Sequence, residues 1–250
     1  MSGHSKWATI KHKKGALDAK RGAIFTKLIK ELTVAAKNGG GNPDANPRLR
    51  TVLAKAKEAN MPADNIERAI KKGTGELPGV VYEEVTYEGY GPSGVAILIE
   101  ALTDNKNRTT SEVRSILDKK GGNMSGAGSV AWQFVKKGFI VVKKSSVEED
   151  RLMGIALDAG ASDFNATDDA YEISTEPNDF DKVKKALDDA RVPTESAEVT
   201  KIASNTVKVA DLATAKSILA LVESLEEHDD IQHVYSNFDI PDNILQELAK

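Results

Sequence analysis

The residues of this sequence best suited to chemistry are the cations of its first thirty positions. Between Lys6 and Lys30 only one acid occurs, Asp18. Lys and Arg neutralise phosphates and release the counterions condensed on a nucleic acid, with little regard to base sequence. Since the 250-residue chain has a net charge of −4, this positive charge is local. The pattern predicts a polyanion-binding segment formed by Lys6, Trp7, Lys11, His12, Lys13, Lys14, Lys20, Arg21, Lys27 and Lys30.

The non-cationic members of this segment allow more than one interpretation. Trp7 either stacks on a base or anchors the segment against the helices, which is the commoner role of a large aromatic residue. His4 and His12 are eight residues apart in a chain without cysteine, so we interpret them as phosphate donors and predict no metal site. A solvated helix face is the alternative for the lysines, although such faces usually mix both signs of charge.

Five later arginines extend the predicted contact surface. Arg108 precedes a predicted helix N-terminus, where backbone N–H groups and the helix dipole attract phosphate. The alternative is that Thr109 and Glu112 form a capping box and that the neighbouring arginines are solvated. We predict nucleic-acid contacts at Arg48, Arg50, Arg68, Arg108 and Arg114.

The remaining motifs favour a protein that is not an enzyme. The stretch 121–128 is rich in glycine but lacks the residue order of known phosphate loops, so we predict a flexible connection there. His228 and His233 flank two aspartates in a predicted turn. No nucleophile, metal-ligand or cofactor motif is present, so we predict no catalytic residue, no cofactor and no metal.

The composition favours a cytoplasmic protein. The absence of cysteine suits a reducing compartment. No apolar run approaches the roughly 20 residues of a membrane span, and no apolar stretch of the kind found in secretory signals follows the basic N-terminus. The expected partner is nucleic acid, either DNA or the ribosomal RNA of the ribosome, with no membrane involved; we favour a monomer.

Helices must position the cations of the first third of the chain. Apolar spacing predicts helices at about 16–37, 46–59 and 62–72, after an extended arm at 2–15. Residues 1–78 hold sixteen Lys and Arg against seven Asp and Glu, a net charge of +9, whereas residues 79–250 carry −13. We therefore predict a basic helical domain at 1–78, and the acidic remainder restricts nucleic acid to particular faces.

The rest of the sequence predicts two α/β domains. Strands at 81–87 and 95–102, a helix opened by Thr109 and a strand near 129–135 leave a sheet unfinished. Residues 137–204 read as a βαββαβ cycle, which is typical of a ferredoxin-like domain. A helix capped by Asp211 and a strand at 231–238 then complete the first sheet. The predicted class is α+β, with three domains: 1–78, a discontinuous α/β domain at 80–135 plus 205–250, and an inserted domain at 137–204.

Several stretches together resemble one known family. They are SGHSKWATIKHKKGALDAKRG near the start, ANMPADNIERAIKKGTG at 59–75, YEGYGPSG at 87–94, TDNKNRTTSEVR at 103–114 and GSVAWQF at 128–134. In these motifs the chain is similar to the YebC family, bacterial proteins with a mitochondrial translational-activator relative. The resemblance implies three domains, one helical and two α/β.

The resemblance also implies functions that the residues alone do not decide. Family members are described as transcriptional regulators that bind DNA. The family is also implicated in translation, where it would act on the ribosome and help the synthesis of difficult stretches such as proline runs. We expect a DNA-binding regulator, with a ribosome-bound translation factor as the alternative. No helix-turn-helix with a base-reading cluster stands out, which argues against operator specificity. A ligand-sensing protein is the third hypothesis, because ferredoxin-like domains can bind small effectors.

Overall fold

The computed structural model of the chain describes the backbone of residues 17–167 and 169–248, and the side chains there except at 17–21, 242 and 246. Contacts divide these residues into two compact units, one running to Trp132 and resuming at Asn205, the other spanning Gln133–Ser204. Within the described ranges, no helix has both the length and the apolar character that crossing a bilayer requires.

The first unit opens with three helices, α1 (Leu17–Gly39), α2 (Pro47–Glu58) and α3 (Ala63–Thr74). Asn46 caps α2 by accepting a hydrogen bond from the Leu49 N–H, and a proline at the first helical position suits this start. The apolar stripes meet in a small core of Leu28, Leu32, Leu49, Val52, Ala56 and Ala69.

Close contact between α1 and α3 depends on a glycine. A Cβ added at Gly73 would lie 2.3 Å from the carbonyl oxygen of Thr33, so any larger residue would force the two helices apart. The Thr33 hydroxyl donates a hydrogen bond across the same contact, to the Ala69 carbonyl. The three helices are thus packed tightly enough to hold their outward cations on a fixed framework.

A second layer of the first unit begins with strands β1 (Glu83–Tyr90) and β2 (Ala96–Thr103), an antiparallel pair. Helix α4 (Lys106–Lys119) follows, and the short strand β3 (Asn123–Ser125) then pairs with the end of β1. The continuous apolar run of β2 is buried along almost its whole length, as expected of a central strand.

The second unit consists of β4 (Phe134–Lys143), α5 (Glu149–Asp158), β5 (Ala161–Ala166), β6 (Ala170–Thr175), α6 (Phe180–Asp189) and β7 (Ser196–Ala203). Its sheet has the order β5-β6-β4-β7 with antiparallel neighbours, which is the ferredoxin-like arrangement. Ile140 and Ile173 from the central strands pack with Leu152 and Leu187 from the two helices. This unit therefore has a core of its own.

The chain then returns to the first unit through β8 (Val207–Lys208), α7 (Leu212–Glu226), β9 (Ile231–Ser236), β10 (Phe238–Asp239) and α8 (Asp242–Leu248). Asp211 caps α7 by accepting from the Thr214 N–H. Strand β9 pairs antiparallel with β2, giving the sheet order β3-β1-β2-β9. Helices α4 and α7 contribute Val113, Leu117, Ile218, Leu219 and Leu225 to the core beneath this sheet.

The predicted α+β class with an N-terminal helical region is confirmed, whereas the three domain limits stay a prediction. Two local predictions were wrong. Helix α4 is not opened by a capping box at Thr109 and Glu112; it starts at Lys106, and Asn105 caps it by accepting from the Arg108 N–H. The predicted strand at 129–135 is replaced by a short 3-10 turn at Ala131–Gln133, after which β4 begins.

Candidate nucleic-acid interface

The outward sides of α2 and α3 carry four exposed cations that we call the helical basic surface: Arg50, Lys57, Arg68 and Lys72. Arg50 and Lys57 are seven residues apart on α2, and Arg68 and Lys72 are four apart on α3, so each pair shares a helical stripe. Among the described residues, none of the four forms an ion pair. Arg50 donates only to the carbonyl oxygens of Pro43 and Asp44, at 3.1 and 2.9 Å, so its charge is oriented but not neutralised.

Arg48 differs from its neighbour on the same helix. Its Nη1 lies 2.6 Å from Oε1 of Glu84, and the same carboxylate accepts from the Asn38 side chain. Both members of the ion pair are exposed, 41% and 50% by side chain, so water screens their attraction and the pair contributes little stability. The structure thus places a compensated and an uncompensated arginine two residues apart.

Lys30, predicted as a phosphate contact, is instead a buried residue. Its Nζ lies 2.5 Å from a carboxylate oxygen of Asp230 and also donates to the Asp229 carbonyl. Only 10% of its side chain is exposed, and the residue it pairs with is 200 positions away. Lys27, one turn earlier, donates to the Glu226 carbonyl at 2.6 Å. These two lysines attach α1 to the end of α7, and the charge of Lys30 is compensated by Asp230.

Arg108 forms an ion pair with the same carboxylate, that of Asp230. Its Nη2 lies 2.8 Å from Asp230 and 2.8 Å from Asp104, and these hydrogen bonds raise the arginine's pKa. Asp230 also accepts from the hydroxyls of Thr109 and Thr103. Burial would raise the pKa of Asp230, but the hydrogen bonds from Lys30, Thr109 and Arg108 outweigh it and hold that pKa well below its ordinary value of 3.8. The carboxylate is therefore charged and fully partnered.

The cleft around Asp230 contains the one group of described side chains with the spacing of a metal site: Glu112, His228 and Asp230. The atoms that would bind a metal already take part in hydrogen bonds within the protein. Nδ1 of His228 accepts from the Asp230 N–H, and its Nε2 lies 2.8 Å from Glu112. Lys30 and Arg108 already place two positive charges on Asp230, so a metal cation would have to displace them against their repulsion. The donor set does not fit a metal.

The glycine-rich stretch 121–128, predicted as a flexible connection, contains strand β3 and ends beside a buried carboxylate. Glu88 on β1 is buried and accepts from the N–H groups of Gly128, Val130 and Ala131 at 2.7, 2.7 and 2.8 Å. Burial would raise the pKa of Glu88, but these backbone hydrogen bonds prevail and lower it. Because the carboxylate occupies the N–H groups of Gly128, Val130 and Ala131, it anchors the chain at 128–131, and these three donors are not free to bind a phosphate.

The remaining predicted contacts divide into two groups. Arg114 is exposed on α4, where its guanidinium makes only a weak 4.0 Å contact with the sulfur of Met124. The side chains of Lys20 and Arg21 lie outside the described part of the chain, as do six residues of the arm: Lys6, Trp7, Lys11, His12, Lys13 and Lys14.

Comparison with known proteins decides the family. A profile described as the TACO1/YebC protein N-terminal domain matches residues 5–76, and one described as the TACO1/YebC second and third domain matches residues 82–238. The chain belongs to the TACO1/YebC family. The family resemblance inferred from the motifs is thereby confirmed. The boundary between the two profiles, at 77–81, falls in the segment that joins α3 to β1.

Relatives within the TACO1/YebC family match along their whole length. A "Probable transcriptional regulatory protein" of Desulfatibacillum aliphaticivorans is 58% identical, covering 99% of this chain and 100% of that protein. Another of that name, from Dictyoglomus turgidum, is 56% identical with both chains covered completely. The crystal structure of a conserved hypothetical protein from Aquifex aeolicus aligns with a TM-score of 0.83 at 49% identity, over 96% of this chain and 99% of that one. The names of the two bacterial relatives from Desulfatibacillum and Dictyoglomus are those of regulatory proteins.

Sequence reasoning missed the two buried carboxylates that organise the first unit. Asp230 stands in what reads as a polar turn, and its partners Lys30 and Arg108 are too distant in sequence to leave a local signal. Glu88 lies on the polar face of a strand with alternating polar and apolar residues, and this pattern predicts that its side chain is exposed. It is buried because the chain at 128–131 folds back over that face.

Proposed function

We propose that this protein is a regulator of gene expression that binds DNA through phosphate contacts made by its N-terminal helical region. The observation that carries the proposal is the helical basic surface, since Arg50, Lys57, Arg68 and Lys72 are exposed and have no carboxylate partner among the described residues. Uncompensated cations on a rigid framework gain most from phosphate, because binding releases condensed counterions.

Two further observations support the proposal. The N-terminal 78 residues carry +9 in a chain of net charge −4, so this region attracts a polyanion more strongly than the remainder of the molecule does. The full-length relatives are named transcriptional regulators, which favours DNA over RNA as the target. The absence of a base-reading cluster on α2 or α3 predicts binding with little sequence preference.

Charge reversal tests the proposal directly. Changing Arg50, Lys57, Arg68 and Lys72 together to Glu is expected to weaken binding of a labelled DNA duplex at least about a hundredfold at 0.1 M salt, because four phosphate contacts are lost. Fluorescence anisotropy measures the affinity. A control variant reverses three exposed lysines of the second unit, Lys136, Lys182 and Lys185. Equal affinity of the wild type and the quadruple variant would refute the proposal.

The basic arm needs a separate variant, because its residues lie outside the described structure. Changing Lys11, Lys13 and Lys14 together to Glu is expected to weaken duplex binding further, since the arm adds its own phosphate contacts. The same variants assayed on a structured ribosomal RNA fragment separate transcription from translation. Preference for the RNA by a large factor at equal salt would favour the ribosome-bound function over the DNA-bound one.

A further inference from the structure

A second basic feature lies in the first unit, in a cleft that the motifs did not indicate. Lys119 and Lys120 at the end of α4 face Lys216 near the start of α7 across this cleft, which is about 680 Å³ in volume. The described residues that line it include Thr214 and Ser217, and none of them is acidic. We call the site formed by Lys119, Lys120 and Lys216 the lysine cleft.

The described residues offer these three lysines no side-chain partner. Within the part of the chain that the structure describes, none of them forms a hydrogen bond or an ion pair through its side chain. The nearest acids along the chain are Asp118, which is exposed, and Asp211, which caps α7 through the Thr214 N–H. Since all three lysines are exposed, water screens their mutual repulsion, but an anion in the cleft would be attracted by all three.

Helix stabilisation does not account for this arrangement. A cation in the last turn of a helix interacts favourably with the dipole, which explains Lys119 and Lys120 on α4. Lys216 is the fifth residue of α7, beyond its first turn, so the helix dipole does not stabilise a cation there. The dipole therefore accounts for Lys119 and Lys120 but gives no reason for the placement of Lys216 beside them.

The lysine cleft is distant from the junction at Asp230, where Lys30 and Arg108 are paired. Helices α4 and α7 run antiparallel, since His228 after α7 contacts Glu112 on α4 while Lys216 shares a cleft with Lys119. The fourteen residues of α4 span about 21 Å, so the lysine cleft lies at the opposite end of the helix pair from Asp230.

We infer that the lysine cleft is a second phosphate-binding site, which contacts the backbone of duplex DNA. The chemistry of the lining favours a duplex over a single strand, because it offers ammonium groups and hydroxyls but no aromatic side chain on which a base could stack. Lysine is a point charge that neutralises phosphate without reading bases. The inference rests on the proposed function, and it makes the α/β part of the first unit a contributor to binding.

Lysine footprinting on the full chain tests this directly. Acetylation by an N-hydroxysuccinimide ester, read by mass spectrometry of peptides, reports how accessible each ammonium group is. With a saturating duplex of about 20 base pairs we expect acetylation in the lysine cleft to fall at least about fivefold, because bound phosphates shield the amines. Three exposed lysines of the second unit should be unchanged: Lys136, Lys182 and Lys185.

An affinity measurement complements the footprint. Changing the three cleft lysines to Ala should reduce the slope of log K against log salt by up to about 2.7, and the affinity at 0.1 M salt at least about tenfold. The same change at the three second-unit lysines is the matched control and should alter neither quantity. An equal response of the two triple variants would overturn the inference.

The outcomes separate the two proposals. Protection of Lys57 and Lys72 without protection in the cleft overturns the cleft alone. Protection in the cleft without protection of those two lysines supports the cleft and contradicts the helical basic surface. If neither group is protected at saturating duplex, both fail. Stronger protection by double-stranded RNA, or by polyglutamate of equal charge, would overturn DNA as the ligand of the cleft.

Discussion

The two ends of the α4–α7 helix pair differ in whether their cations are paired with a protein carboxylate. At one end Lys30 and Arg108 converge on Asp230, and each cation has a protein carboxylate within 2.8 Å. At the other end Lys119, Lys120 and Lys216 converge on a cleft without an acid. Cations of the first kind stabilise the fold, whereas cations of the second kind remain available to an external anion. The difference lies in their partners and not in the lysine content of the sequence.

The same contrast recurs within the helical region. Arg48 is paired with Glu84, and Arg50 orients itself on backbone carbonyls and keeps its charge. Within the described residues, counting the basic side chains of the first 78 positions therefore overstates the cationic surface, because Lys30 and Arg48 are compensated internally.

The largest expected effect comes from removing the buried anion. Asp230→Asn leaves the buried ammonium of Lys30 without a countercharge, so we expect the free energy of unfolding to fall by about 3–5 kcal/mol. Urea denaturation measures this loss. Asp229→Asn, one residue earlier and exposed, is the matched control and should change stability by less than about 0.5 kcal/mol. A loss below about 1 kcal/mol for Asp230→Asn would show that the junction is not held by this charge pair.

A somewhat smaller effect is expected at Glu88. Glu88→Ala leaves the N–H groups of Gly128, Val130 and Ala131 without their acceptor, which should cost about 2–4 kcal/mol. Amide hydrogen exchange at Val130 and Ala131 should accelerate in the variant, because the loop loses its anchor. Glu83→Ala, on the same strand but exposed, serves as the control. Unaltered exchange at these amides would contradict the anchoring role.

Acid should weaken these anchors in a defined range of pH. The folded-state pKa values of Asp230 and Glu88 lie below the ordinary values of 3.8 and 4.5. Their stabilisation is therefore complete above about pH 4.5 and is lost as the pH falls toward the folded-state values. Asp230→Asn and Glu88→Gln should each flatten the dependence of stability on pH below that point, by up to about 1.4 kcal/mol per pH unit. Urea denaturation between pH 6 and pH 3 measures this, and slopes parallel to the wild type would refute it.

The smallest stability effect is expected at the exposed ion pair. Arg48→Ala should change the free energy of unfolding by no more than about 1 kcal/mol, since both Arg48 and Glu84 are screened by water. Thermal denaturation at low and high salt measures the contribution, which should shrink further as salt is added. A larger loss would mean that this pair joins the helical region to β1 more strongly than its exposure indicates.

Local patterns predicted most of the elements because their causes are local. The apolar spacing of α1 and α7, the Asn46 and Asp211 caps and the buried run of β2 all act within a few residues. The start of α4 was misplaced because two caps compete there. Asn105 satisfies the helix N-terminus, while the Thr109 hydroxyl is used for Asp230 instead.

The candidate sites were harder to predict, because charge compensation is a long-range property. Lys30 resembles its neighbouring lysines in sequence, and only the fold brings it to a carboxylate 200 positions later. Lys119 and Lys216 are likewise far apart along the chain and meet only because α4 and α7 pack antiparallel. Basic composition could be read from the sequence, but the division into paired and unpaired cations required the structure.

The salt dependence of duplex binding in two single variants tests the central claim most directly. Arg50→Ala should reduce the slope of log K against log salt by about 0.9, because one phosphate contact is lost. Arg48→Ala, two residues away on the same helix, should leave the slope unchanged, because its charge is already compensated by Glu84. Equal slopes for both variants, or a larger change for Arg48→Ala, would contradict the claim that the unpaired cations are those that bind phosphate.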